Sequence, residues 1–160
     1  AVAFDYETNC LKPDSDIAKI VSCSISDGKR TIAYPMYGSA MNATDEFLKS
    51  NVPKICANLK FEERWTRKIF GHGVKNWDFD TMLAAHLLDN KHGVCGLKYQ
   101  AFIRLGQESY NDHIEPFLKA DGSNEENRIK EIPIRELLIY NGMDSLLEWK
   151  LAKIQKKEIL

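Results

Sequence analysis

No apolar run in the sequence approaches the roughly 20 residues that a membrane-spanning helix needs. There are only four cysteines, Cys10, Cys23, Cys56 and Cys95, and no C-x-x-C pair among them. That spacing excludes the usual zinc frameworks and points to reduced thiols, with Cys23 and Cys56 in the core. An excess of charge is also missing. The chain has 22 Lys and Arg against 23 Asp and Glu, a net charge of −1. It therefore lacks the basic balance that marks many nucleic-acid binders, although a site of acids and metal ions would hold phosphates without one. His72, His86, His92 and His113 are scattered, which argues against a histidine metal cluster. His86, on an apolar helix face, reads as a hydrogen-bonded core or boundary residue. No repeat, low-complexity tract, Ser-His-Asp or Cys-His signature is visible.

What is present suits one compact domain over residues 1–160, 44% of them hydrophobic. There is no initiator Met, and the chain opens inside a strand-like run. The expectation is a domain excised from a longer protein, in an intracellular setting, cytoplasmic or nucleoid-associated if the source is bacterial or phage.

The first third reads as strands at 1–7, 17–26 and 29–37. Leu11–Asp16 forms the first turn and Asp27-Gly28 marks a hairpin. Pro35 puts the third strand at an edge or marks its end. Residues 44–50 read as a short helix capped by Thr44. Lys54–Asn58 reads as a short buried strand, Leu59–Phe70 as a helix, and Gly71–Gly73 as a break. Helices are then predicted at 80–90, 96–105 and 114–119, with a loop through "DGSNEEN". The clearest helix is Pro133–Ile159, with Pro133 near its start. Strands first, then helices around one further strand, predict an α/β domain with a mixed sheet.

Three segments carry acids where apolar residues would be expected. In "FDYET", Asp5 and Glu7 are two apart on a strand and project from one face. Two carboxylates this close repel unless a positive charge sits between them, and Mg²⁺ and Mn²⁺ favour such oxygens. Alone, the pair also reads as a solvated strand end. In "YNGMD", Tyr140 and Asp144 share a helix face at i and i+4, or form an ordinary boundary pair. In "NLKFE", Asn58 and Glu62 stand one turn apart where strand gives way to helix, with Asn58 a candidate cap.

Taken in order, "FDYET", "NLKFE" and "YNGMD" resemble the three exonuclease motifs of the proofreading 3′–5′ exonuclease domain of family A DNA polymerases. "FDTMLAAHLLDN" is similar to that family's linking helix. The resemblance covers nearly the whole chain. It implies a DnaQ-like, ribonuclease H-like α/β fold, a mixed sheet flanked by helices. Tyr140 places the chain in the tyrosine (DEDDy) subclass.

The resemblance further implies a two-metal hydrolysis of DNA phosphodiesters from the 3′ end, with Mg²⁺ or Mn²⁺ as cofactor. Asp5, Glu7 and Asp144 match ligands of the metal that activates water, Asp5 bridging to the second. Glu62 matches the acid serving the second metal, and Tyr140 the group that positions the water. Thr8 and Asn58 match contacts to the terminal nucleotide, and Leu11 matches an apolar wedge between the last two bases. One departure stands out: the family's second-motif acid is usually Asp, and here it is Glu62, one methylene longer. Glu63 should face elsewhere on its helix, and Asp80 reads as the N-cap of the linking helix. The implied partners are a single-stranded or frayed DNA 3′ end and a polymerase module in cis, with no membrane. The alternatives are a ribonuclease D-like RNA-trimming enzyme, or an inactive domain kept for binding or scaffolding. Trp65, Trp77 and Trp149 read as packing residues. Lys60, Arg64, Arg67 and Lys68 read as a solvated helix face, with DNA backbone contact as the alternative.

Overall fold

Alternation along the first strand decides which side of the sheet is greasy and which is polar. The computed structural model describes residues 1–160. Strand β1 (Val2–Thr8) turns Phe4 and Tyr6 to one face and Ala3, Asp5 and Glu7 to the other. It lies at the centre of a five-stranded sheet of order β3-β2-β1-β4-β5. β2 (Ile20–Ser26) and β3 (Thr31–Pro35) run antiparallel to their neighbours, while β4 (Lys54–Cys56) and β5 (Trp77–Asp80) are parallel. The mixed sheet is as expected, and β3 with Pro35 is its edge.

Helices α1 (Ser39–Lys49) and α2 (Leu59–Phe70) supply the apolar cover for the Phe4 face. Leu48 and Trp65 are wholly buried there with Cys23, and Trp77 stacks on Phe4 at 5.5 Å. The other face is lined by small residues. Ser22, Ser24 and Ser26 of β2 stand opposite Glu7, Asp5 and Ala3. They let the 26-residue helix α6 (Ile134–Ile159) come close, and Gly142 of α6 meets Thr31 and Ala33. Helices α3 (Thr81–Leu88) and α4 (Leu97–Leu105) pack on α6 in turn. A short α5 (Glu115–Leu118) and a 3₁₀ turn at Ile129–Glu131 complete the chain. No helix is long and apolar enough to cross a membrane.

Several sequence expectations shift. Helix α1 starts five residues before residue 44, so Thr44 is mid-helix rather than a cap. Its hydroxyl is satisfied by the Ala40 carbonyl and Tyr34 Oη, both at 2.8 Å, which lets a polar side chain sit buried there. Strand β5 lies where the sequence predicts no strand, because Asp78 and Asp80 interrupt a run of only four residues. Leu83, His86 and Leu87 form the outward face of α3, so His86 is exposed; Ala84 and Ala85 face inward. Cys10, Cys23, Cys56 and Cys95 are all free. The Asp27-Gly28 hairpin is as expected. Gly28 has φ +82°, and a Cβ there would fall 2.2 Å from the Trp149 ring.

Asn58 does not cap α2. It adopts a left-handed φ of 76°, and its side chain makes no cap bond. The carboxylate of Asp80 does that work from across the sheet. It accepts the N–H groups of Asn58 and Leu59 at 3.0 and 2.7 Å, and those of Met82 and Leu83 at 2.9 and 3.2 Å. One acid thus ties together the starts of α2 and α3, close to where the second motif begins.

Candidate active site

Two elements bring the acids together. The strand period sends Asp5 and Glu7 towards α6, and the helix period turns Tyr140, Asn141, Asp144 and Glu148 back to meet them. One carboxylate oxygen from each of Asp5, Glu7 and Asp144 lies within 4.8 Å of the others. Glu7 and Asp144 are buried and Asp5 is half-buried. Asn141 fixes the geometry. Its amide donates to Asp5 Oδ2 at 2.8 Å, and its side-chain oxygen accepts from Ser22 Oγ at 2.7 Å. Ser24 Oγ donates to the Asn141 carbonyl at 2.6 Å. The serine face of β2 therefore holds α6 in register with β1.

The electrostatics follow from this crowding. Burial first, then the Asp144 charge, pushes the Asp5 carboxyl up to about 8; Lys98 and Asn141 pull against that. Burial and the Asp5 and Asp144 charges likewise hold Glu7 well above the carboxylate range. Asp144 has a donor on each oxygen: Lys98 Nζ on Oδ2 and Tyr110 Oη on Oδ1, both at 2.5 Å. Burial, then Asp144, raises the Tyr110 and Tyr140 phenols, so both stay protonated donors. A compact set of three hard carboxylate oxygens, touched by a single ammonium, fits a divalent cation of the Mg²⁺ or Mn²⁺ kind.

The remaining predicted residues fall around this centre. Glu62 is 1% exposed, with Oε2 lacking a hydrogen-bond partner. Burial raises its carboxyl, and Asp5 and Glu7 raise it further. It flanks the three-acid group from the α2 side without joining it. Tyr140 is buried, and its ring lies 5.9 Å from that of Tyr110. Thr8 and Leu11 line an open cleft of about 440 Å³ together with Glu7, Phe61 and Asn127. Leu11 is 62% exposed at its edge. Asn58 is outside that lining, and its side-chain amide makes no hydrogen bond within the protein. Glu63 faces away, as expected, and binds Arg67, the Val74 N–H and Trp77 Nε1.

The sequence profile of the 3′–5′ exonuclease family matches residues 1–159. The chain belongs to that family. No curated protein sequence matches it. Among solved structures it is similar to *Brucella melitensis* NrnC bound to pGG, at 21% identity and a TM-score of 0.74, covering 99% of this chain and 72% of that one. It is also similar to Pol1 of M. smegmatis in complex with DNA primer-template and dNTP, at 15% identity and a TM-score of 0.67. That match covers 99% of this chain and 23% of the polymerase chain. A third is RNase D of Escherichia coli, an exoribonuclease, at 15% identity, TM-score 0.64 and 99% and 38% coverage. These likenesses establish the ribonuclease H-like fold of the exonuclease domain, and family membership makes it a nuclease of the hydrolase class.

Four groups around the three acids escaped sequence reasoning. Asn141 sits beside Tyr140 on the predicted face, so its position was visible and its bonds were not. Lys98 and Tyr110 come from α4 and the loop after it, and no spacing links either to the motifs. Glu148 lies one turn beyond Asp144 and is wholly buried, with neither carboxylate oxygen hydrogen-bonded. Burial, then Asp5 and Glu62, holds it towards its protonated form. The i+4 spacing from Asp144 was the one available signal.

Proposed function

We infer that this exonuclease domain removes nucleotides from the 3′ end of single-stranded or frayed DNA, as the proofreading part of a family A polymerase chain. The observation that carries the reading is the meeting of Asp5, Glu7 and Asp144 within 4.8 Å beside the cleft that Thr8 and Leu11 line. Asp5, Glu7 and Asp144 would hold the first cation. Asp5 and Glu62, the latter outside the three-acid group, would serve the second. When bound, two Mg²⁺ or Mn²⁺ ions supply the charge that acidifies the attacking water and steadies the departing 3′ oxygen. Tyr140, kept protonated by its surroundings, orients that water on the α6 side. Leu11 presents an exposed apolar side chain to the last two bases. The Thr8 hydroxyl, whose proton goes to the Cys10 carbonyl at 2.8 Å, would meet the terminal nucleotide as an acceptor, and the Asn58 amide would reach it from outside the cleft lining. No side chain acts as a nucleophile, so the protein's contribution is placement on a rigid strand and helix.

The second reading, RNA trimming, draws on the likeness to RNase D, an exoribonuclease. A 5′-labelled DNA oligonucleotide and its RNA counterpart, each incubated with Mg²⁺ or Mn²⁺, separate the two. A ladder shortening from the 3′ end, faster on DNA, is the expected result. Faster shortening of RNA favours the second reading. No shortening of either by a folded protein overturns both and leaves a binding or scaffold role.

A further inference from the structure

Lys98 is the one ammonium in contact with the three-acid group. It projects from α4, an element outside all three motifs, and reaches across to α6. Its Nζ donates to Asp144 Oδ2 at 2.5 Å and stands 4.7 Å from the Tyr140 ring centroid and 5.4 Å from that of Tyr110. The two rings form a cradle whose faces favour a cation. Tyr110 Oη takes the other oxygen of Asp144, so both oxygens are engaged. Neither Asp5 nor Glu7 has a basic partner of its own. The Lys98 side chain keeps 32% of its surface exposed, so it has a route out towards solvent. Its stem is flexible and its charge compact, so it can leave without disturbing the helix that carries it.

We propose that Lys98 is a built-in counter-ion of Asp144 that a divalent cation must displace, so that this lysine sets the cation concentration the site requires. The inference rests on the three acids being a cation site, as argued above. An ammonium on Asp144 and a divalent cation among Asp5, Glu7 and Asp144 are like charges a few ångströms apart. In a buried setting they repel too strongly to share one carboxylate without adjustment. Departure of Lys98 frees Oδ2. It also leaves an ammonium with three unused donors beside the cleft, where phosphate oxygens of a nucleic acid would meet it. Before that exchange, Lys98 is the one positive charge in contact with the three converging carboxyl groups.

Calorimetric titration of Mn²⁺ into wild type, Lys98→Met and Lys98→Arg tests this. Met keeps the length of the stem and its contact with the two rings, and removes the charge. The expected result is Mn²⁺ binding at least tenfold tighter in Lys98→Met, with Lys98→Arg close to wild type. A lysine that merely holds Asp144 in place predicts the opposite, weaker binding in Lys98→Met. Equal binding in wild type and Lys98→Met, or weaker binding in the variant, overturns the proposal. A second readout needs no variant. In ¹⁵N-lysine spectra of the wild type, the Lys98 Nζ resonance should shift on addition of Mg²⁺, with the same midpoint as the heat of a matching Mg²⁺ titration. A resonance that stays put while Mg²⁺ binds overturns the proposal and leaves the acids standing as a cation site. Failure of the wild type to bind either cation overturns both.

Discussion

Replacing Asp5 by Asn is expected to lower the rate of 3′-end removal by at least about 10³-fold and to raise the stability of the fold. The rate loss follows from the position of Asp5 between Glu7 and Asp144. Charge stabilisation by a bound cation is worth several kcal/mol, and losing about 4 kcal/mol of it is a factor of about 10³. The gain in stability follows from the same crowding. Burial, and then the Asp144 charge, pushes the Asp5 carboxyl up to about 8, so near neutral pH the fold works against its ionisation. An amide carries no charge and keeps the shape. Its oxygen still accepts from Asn141 Nδ2, which now stands 2.8 Å from Asp5 Oδ2. Relief of this kind is worth about 1–2 kcal/mol, a rise of several degrees in Tm for a chain this long. Single-turnover cleavage and a thermal melt in chelator check the two halves together. Retained cleavage, or a lower Tm, contradicts the account.

The second large effect is a stability that falls as pH rises, seen when divalent cations are chelated. Asp5, Glu7, Glu62 and Glu148 all have carboxyls raised first by burial and then by one another's charges or that of Asp144. A raised carboxyl binds its proton more tightly in the folded chain than in the unfolded one. The stability this brings is fully present below the unfolded pKa and is lost as pH climbs through the folded value. For Asp5 that window runs from 3.8 to about 8. Each net proton contributes a slope of about −1.4 kcal/mol per pH unit. Lys98, whose burial is more than offset by Asp144, is raised above the ordinary lysine range and stays charged throughout. The acids held low, such as Asp45 beside Lys49 and His72, are ionised across the window and do not reverse the slope. Urea unfolding at pH 5, 6, 7 and 8 with chelator should show a steady decline. Saturating Mg²⁺ should flatten it, because the cation binds only the folded arrangement. A flat or rising profile with chelator contradicts the placement of these acids.

The sequence was a good guide wherever a local period or turn decided the outcome. Helix α2 begins and ends where its pattern does, and α6 starts one residue after Pro133. It was a poor guide where a distant partner decides. Asn58 looks like a cap, but Asp80, 22 residues on, holds that position. Thr44 looks like a helix start, but Tyr34 and Ala40 satisfy its hydroxyl inside one. Strand β5 exists because β4 offers it an edge; Trp77 and Phe79 suit a strand, but four residues carrying two Asp are too short a run to decide one.

The candidate site divides in the same way. Asp5, Glu7, Tyr140 and Asp144 are legible because "FDYET" and "YNGMD" resemble, in order, motifs of the exonuclease family, while periods of two and four residues put each pair on one surface. Lys98, Tyr110 and Asn141 take part through contacts that span 46, 34 and 136 residues, and no spacing rule reaches that far. Glu62 shows the limit most clearly. The resemblance of "NLKFE" to the family's second motif puts it forward as an acid of the site, but only the packing of α2 on the sheet shows that it is buried near Asp5 and Glu7.

The most direct measurement is the position of Mn²⁺ in crystals of the protein, read from its anomalous scattering. The account predicts a peak among the carboxylates of Asp5, Glu7 and Asp144, lost in the Asp5→Asn protein. A peak elsewhere, or none at millimolar Mn²⁺, would contradict the claim that the first and third motifs meet to form the cation site of this exonuclease domain.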